Sequence, residues 1–288
     1  MRIGVVFPQT EIGPDPAVVR EYAQTAEDAG YKHLMVYDHV LGASTANRPT
    51  WSGPYTSKSL FHEVFVLFGY LAGVAPGLEL VTAIVILPQR QTALAAKQAA
   101  EIDLLTGGKF RFGVGTGWNE VEYIGLNERF SNRGRRLEEQ IDLMRALWTQ
   151  DVIDYHGTYH TIPEAGLNPL PVQRPIPIWI GGYVDVVMER IGRLADGWFP
   201  GSQPGETLDR NRALVEQSAR AAGRDPAAIG MEGRIALAPG AEGQWVAQTD
   251  AWQAAGATHL SINTMNHGRS PAEHIETIRR YAEVVALN

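Results

Sequence analysis

Short apolar runs alternate with amphipathic stretches from one end of this chain to the other. The runs are bounded by glycine, proline or polar turn residues and predict strands over 3–7, 33–37, 79–87, 109–115, 176–181, 196–200, 231–237 and 258–263. Apolar residues recurring every three or four positions predict helices over 15–29, 61–74, 91–105, 133–149, 184–194, 204–222, 242–255 and 271–286. The period is clearest where Leu137, Ile141, Met144 and Trp148 fall on one face, and it returns at Ile275, Ile278, Ala282 and Val285. Gly30, Gly107, Gly223 and Gly256 stand where helices must stop, because glycine takes the left-handed cap at little cost.

One unit is echoed: residues 28–36 and 254–262 both read as helix end, glycine cap, then strand. Eight such alternations predict an α/β fold, a (β/α)8 TIM barrel, over the single domain 1–288. Two long connections interrupt the rhythm, one over 38–60 after the second strand and one over about 150–175 before the fifth. The latter is expected to carry a hairpin around Gly157 and to be an insertion in the barrel. The third strand is long for a barrel strand, which points to a bulge or kink near its upper end.

Apolar residues make up 44% of the chain and charged residues 20%, enough to fill a large core. The formal charge is −7, and the one basic cluster, from Arg129 to Arg136, is interleaved with acids. A nucleic-acid partner is therefore not expected. The apolar start ends at Pro8, too short for a signal or membrane segment, so no membrane partner and a cytoplasmic location are expected. There is no cysteine, which removes disulfides, thiolate metal sites and a Cys nucleophile.

In a barrel of this kind the chemistry lies at the C-terminal ends of the strands. His33 and His259 sit at strand starts and are expected to be structural, whereas His39 closes the second strand and points to the mouth. The fourth strand ends in Gly113-Val114-Gly115-Thr116-Gly117-Trp118, glycines that let a flat or phosphorylated ligand approach the backbone. Its spacing is not the dinucleotide fingerprint. Gly181 and Gly182 close the fifth strand immediately before a helix, a place for a phosphate or simply a tight turn. No metal is expected: His62-Glu63 are adjacent on a helix, His156 and His160 flank a hairpin turn, and strand one carries no His pair. A hydrolase lacks its Gly-x-Ser-x-Gly elbow, and a Schiff-base aldolase lacks a lysine at a strand end.

Taken together, Met1 to Gln9, Tyr37-Asp38-His39-Val40, the stretch from Leu105 to Trp118, Arg133 to Gln140 and Pro175 to Gly182 resemble the luciferase-like monooxygenases, most closely their coenzyme F420-dependent branch. The resemblance implies a homodimeric barrel that binds the deazaflavin F420, or alternatively FMN, at the strand C-termini. It places Asp38 and His39 near the reacting ring, a bulge with a non-prolyl cis peptide around Thr82, Ala83 and Ile84 behind it, Gly115, Thr116 and Gly117 along the cofactor, and Gly181 and Gly182 at its phosphate. Some F420-dependent dehydrogenases of the family carry an acid where this chain has Trp118, so a sugar-phosphate dehydrogenase role is in doubt; Glu120 is a possible substitute acid.

The expected activity is hydride transfer between F420 and a small organic substrate, with His39 as proton donor or anion stabiliser. Trp118 and Trp51 would wall the substrate pocket, or else pack in the core. Lys58, Arg90, Arg133, Arg135 and Arg136 are the cations available to an anionic cofactor tail. The alternatives are an FMN-dependent monooxygenase and a cofactor-binding barrel without turnover.

Overall fold

A computed structural model describes residues 1–287. Its strands are β1 (Arg2–Val6), β2 (His33–Val36), β3 (Glu79–Thr82), β4 (Val85–Ile86), β5 (Phe110–Gly115), β6 (Ile153–His156), β7 (Thr161–Ala165), β8 (Ile178–Gly182), β9 (Gly197–Pro200), β10 (Gly230–Ala236) and β11 (His259–Asn263). Its α-helices are α1 (Pro16–Asp28), α2 (Val64–Val74), α3 (Thr92–Leu105), α4 (Glu120–Gly125), α5 (Arg133–Thr149), α6 (Asp185–Leu194), α7 (Glu206–Ala221), α8 (Trp245–Ala254) and α9 (Pro271–Val285).

The parallel sheet runs β3-β2-β1-β11-β10-β9-β8-β5-β4, and β3 also pairs with β5, which closes the ring. With β3 and β4 counted as one broken strand, this is the eight-stranded barrel that the alternation predicts. The break is where the sequence expects a bulge: the ladder stops at Thr82, the Ala83–Ile84 bond is cis, and pairing resumes at Val85. The insertion before β8 is the antiparallel hairpin β6–β7, separate from the barrel sheet. Its turn is latched by Glu139 of α5, which accepts from the backbone of Thr158 and Tyr159 and meets His160 Nδ1 at 2.8 Å.

Local chemistry sets the helix boundaries. α2 begins at Val64, three residues later than the periodicity predicts, because the Glu63 carboxylate caps it by accepting from Val66 N. His62 turns instead to the carbonyl of Gly13. Ser270 and Glu273 form a capping box at the start of α9. α4 is a short helix where the sequence predicts only loop.

Side chains alternate along each strand between the helix layer and the barrel interior. On β5, Phe110, Phe112 and Val114 join the main core against the helices, while Arg111, Gly113 and Gly115 face inward. The interior is layered. A polar layer holds His33, Glu79, Arg111, Glu232 and Ser261. Above it, Val6, Met35, Val81 and Met265 form a small apolar cluster with Phe199 and Ala83. Met35 of the cluster and Glu232 of the polar layer both reach the cavity at the mouth. Among the described residues, no helix is long and apolar enough to cross a membrane.

Candidate active site

The C-terminal ends of β2, β5, β8 and β9, the Ala83–Ile84 break after β3 and the middle of β10 surround a cavity of about 490 Å³, within the ~300–1,000 Å³ typical of small-molecule sites. Its floor is formed by Met35 and Glu232 and one wall by Ile84. Gly115 and Gly181 flank that wall: a Cβ on either would come within 2.7 Å and 2.9 Å of the Ile84 side chain. The glycines therefore make room first for Ile84, and in doing so leave bare backbone along the cavity. Gly117 has φ of +61°, a left-handed turn that strains other residues. Gly182, Tyr183 and Val184 close one end, where α6 starts without a side-chain cap. Arg133 and Arg234 line the same cavity.

A second cavity of about 340 Å³ holds Asp38, His39, Tyr37 and Tyr55. It shares Ala83, Ile84, Gly117, Trp118 and Arg234 with the first, so the two adjoin across the broken strand. Residues from 38 to 234 thus meet at one end of the barrel.

His39 is nearly enclosed. Its ring lies edge-on to Tyr55, Phe61 and Trp118, at 5.1, 4.9 and 5.7 Å between centroids. Its Nδ1 lies 3.1 Å from Oε2 of Glu122, a residue of α4 that is fully buried. Burial alone would raise the Glu122 carboxyl, but His39 and the backbone N–H groups of Val40 and Leu41 outweigh it and hold the group below its usual value. α4 itself is pinned to the glycine loop by the Tyr123 hydroxyl, which donates to the Thr116 carbonyl. Glu120, the substitute acid that the sequence offers, is exposed on α4 and lines none of these cavities.

Asp38 lines the second cavity, but its carboxylate is already engaged. Its Oδ1 accepts from Arg90 at 2.7 Å and its Oδ2 from the Ile86 N–H, so the carboxylate braces β4 instead of facing the cavity freely. Burial raises the Asp38 carboxyl and Arg90 draws it back only in part. Burial works against the Arg90 charge, but Asp38 and Glu63 together outweigh it and raise the guanidinium. Arg90, also paired with Glu63, is therefore no free cation at the mouth. Arg136 is paired with Glu128, and Lys58 and Arg135 are exposed outside the three cavities around the mouth. Of the five expected cations only Arg133 lines the large cavity. Thr82 is fully buried below the cavities, donating to the Gly113 carbonyl. Trp118 lines both cavities, whereas Trp51 lines none of the three and backs Trp118 at 5.6 Å between ring centroids.

Among the site residues that lie outside the sequence expectation are Glu122, Glu232, Arg234 and Phe199. Glu232 and Arg234 carry a readable signal, two polar residues spaced two apart in an otherwise apolar strand, which puts both inside the barrel. Glu232 meets Arg111 at 2.7 Å, His33 at 2.8 Å and Ser261 at 2.6 Å. Burial works against its charge, but Arg111 and His33 prevail and hold the carboxyl well below the usual range.

Comparison with known proteins gives the family and the fold. Residues 1–286 match the family model of the luciferase-like monooxygenases. An uncharacterized protein of Mycobacterium tuberculosis is 35% identical over 208 residues, 70% of this chain and 71% of that protein. The FMNH(2)-dependent dimethylsulfone monooxygenase of Pseudomonas putida is 29% identical over 201 residues, 68% of this chain and 51% of its own. The F420-dependent glucose-6-phosphate dehydrogenase of Mycolicibacterium fortuitum is 36% identical over 139 residues, 46% of this chain and 41% of its own. The solved structure of an F420-dependent secondary alcohol dehydrogenase in complex with an F420-acetone adduct shares the fold, with a TM-score of 0.79 at 18% identity over 99% of this chain and 98% of that one. With a barrel of this topology and a family match over nearly its whole length, the chain belongs to the luciferase-like monooxygenase family.

Proposed function

We propose that this protein is an oxidoreductase that holds coenzyme F420 in the glycine-walled cavity and passes hydride between it and a small organic substrate beside His39. The observation that carries the reading is the sharing of Ala83, Ile84, Gly117, Trp118 and Arg234 by the two cavities, which joins a cofactor-sized space to a proton-handling group. The large cavity suits a flat heteroaromatic group with a phosphate. Its wall is Ile84 with glycine backbone on both sides, and its end at Gly182 meets the uncapped N–H groups of α6. Ala83, Ile84, Gly115, Thr116, Gly117, Gly181 and Gly182 would hold the cofactor, with Arg133 and Arg234 as the cations for its anionic part.

The bound cofactor supplies the hydride chemistry. The chain contributes position, an apolar enclosure built from Phe199, Trp118 and Ile84, and a proton acceptor or donor at His39. F420 is favoured by the pair of arginines and by the relative that is 36% identical. FMN with oxygen as co-substrate is the second reading, supported by the FMNH(2)-dependent relative, which aligns over more of this chain. Fluorescence titration of the cofactor-free protein with F420 and with FMN, each oxidised and reduced, tests both. Saturable binding of F420 supports the first reading and of FMN alone the second. Binding of neither at up to about 1 mM, ~4 kcal/mol of affinity, defeats both.

A further inference from the structure

Glu122 joins three segments that lie far apart in sequence. Its Oε1 accepts from the backbone N–H groups of Val40 at 2.6 Å and Leu41 at 3.1 Å, while its Oε2 faces His39 Nδ1 at 3.1 Å and accepts from Gln89 Nε2 at 3.3 Å. Backbone N–H groups only donate, so the oxygen on the Val40 side is obliged to be an acceptor and the carboxyl group cannot turn over. A carboxylate held in this way offers His39 nothing but lone pairs. The neutral imidazole meets it by carrying its proton on Nδ1, which leaves the lone pair on Nε2. Nε2 takes no partner among the described residues and is not sealed off from the two cavities that His39 lines.

We propose that Glu122 is the positioning residue for His39, fixing the Nδ1–H tautomer so that Nε2 is the atom that takes a proton from the substrate or returns one to it. The proposal rests on the reading of His39 as the proton-handling group. The same logic predicts that a glutamine at 122 keeps the shape and reverses the proton. Its carbonyl oxygen is claimed by Val40 and Leu41, so its NH2 group faces His39 Nδ1 and forces the ring proton onto Nε2. Gln89 accommodates the change by rotating its own amide.

The tautomer is readable without cofactor or substrate. In protein labelled with 15N at histidine, long-range 1H–15N correlation of the ring nitrogens distinguishes the two neutral forms, and the His39 signals are those lost in His39→Gln. The wild type is expected to favour the Nδ1–H form at least about tenfold, as a hydrogen bond to a buried carboxylate implies. Glu122→Gln is expected to invert the preference by a similar factor while its melting temperature stays close to that of the wild type. A wild-type ring that is mainly Nε2–H overturns the proposal, and this holds even should the variant fail to fold. A folded Glu122→Gln whose tautomer is unchanged overturns it too. Failure of F420 and FMN to bind leaves these spectra unaffected, so the two readings fail separately.

Discussion

Arg90 Nη2 and Asp38 Oδ1 meet at 2.7 Å behind the broken third strand, with both side chains largely withdrawn from solvent. The pair ties the loop after β2 to the turn after β4, and Asp38 Oδ2 extends the tie to the Ile86 N–H. The site wall at Ala83 and Ile84 is thus fixed from behind by an ion pair that the sequence offers as separate cofactor contacts.

Removing one partner of a buried pair strands the other. Arg90→Leu is therefore expected to cost about 3–5 kcal/mol, because the Asp38 carboxylate keeps only one N–H donor. At roughly 2–4 °C per kcal/mol for a chain of this size, the melting temperature should fall by on the order of 10 °C. The double variant Asp38→Asn with Arg90→Leu should recover much of that loss, since the uncompensated charge is gone. Calorimetry of the wild type, the two single variants and the double variant checks this. Additive losses would mean that the two groups do not act as a pair.

Acid should loosen the barrel interior in two stages. Burial, with Arg111 nearby, pushes His259 down to about 3, whereas an unfolded histidine titrates near ~6.5. Between those values the unfolded chain binds a proton that the folded chain refuses, so stability is full above about pH 6.5 and is lost as pH falls. Glu232 acts in the same direction but lower. Its folded carboxyl is held well below an unfolded glutamate at ~4.3, so its contribution is present above that value and is lost beneath it. Thermal melts at steps from pH 7 to pH 4 should show a falling melting temperature, and His259→Gln should flatten the part above about pH 4.5. Parallel curves for the two proteins would refute the assignment to His259.

Periodicity was sufficient for the barrel because each βα unit carries its own evidence, an apolar run and a 3.6-residue stripe, joined in four of them by a glycine stop, all local in sequence. Those signals also place His39, Gly115, Gly117, Gly181 and Gly182 at strand ends, and the structure brings them to one mouth. What the sequence hides is pairing. Whether Asp38 faces a ligand or Arg90, and whether Arg136 faces solvent or Glu128, depends on contacts between segments that sequence leaves unconnected. Glu122 shows the limit best. It lies in a helix too short to announce itself by periodicity, and its role exists only because residues 39–41 fold back onto it. Glu120, two positions earlier, looks equally plausible on paper and points to solvent.

The glycines at the wall yield a sharper expectation. In Gly181→Ala the new methyl would sit 2.9 Å from the Ile84 Cγ2, so the Ile84 side chain that walls the cavity has to give way. The protein should fold with little loss, while cofactor affinity falls about tenfold or more as Ile84 is driven into the cavity, equivalent to ~1.4 kcal/mol. Fluorescence titration reads the affinity and a thermal melt the fold. An unchanged affinity would place the cofactor away from this wall.

Arg133 tests whether the site grips the anionic part of the cofactor or only its ring. The guanidinium lies 3.6 Å from the Phe130 ring centroid and its Nη1 donates to the Phe130 carbonyl, so it is held beside the large cavity before any ligand arrives. A charge-assisted hydrogen bond of ~1.5–3 kcal/mol corresponds to about 10- to 100-fold in affinity. Arg133→Met keeps most of the apolar stem and removes the charge, so it should weaken F420 or FMN by that factor and leave riboflavin, or the deazaflavin ring without its phosphate, within about threefold. Raising the salt concentration should erode the wild-type advantage and have little effect on the variant, because the contact is partly open to solvent. Equal losses for the phosphorylated and unphosphorylated ligands would mean that Arg133 shapes the cavity through packing alone, and the anionic group would then have to sit at Arg234.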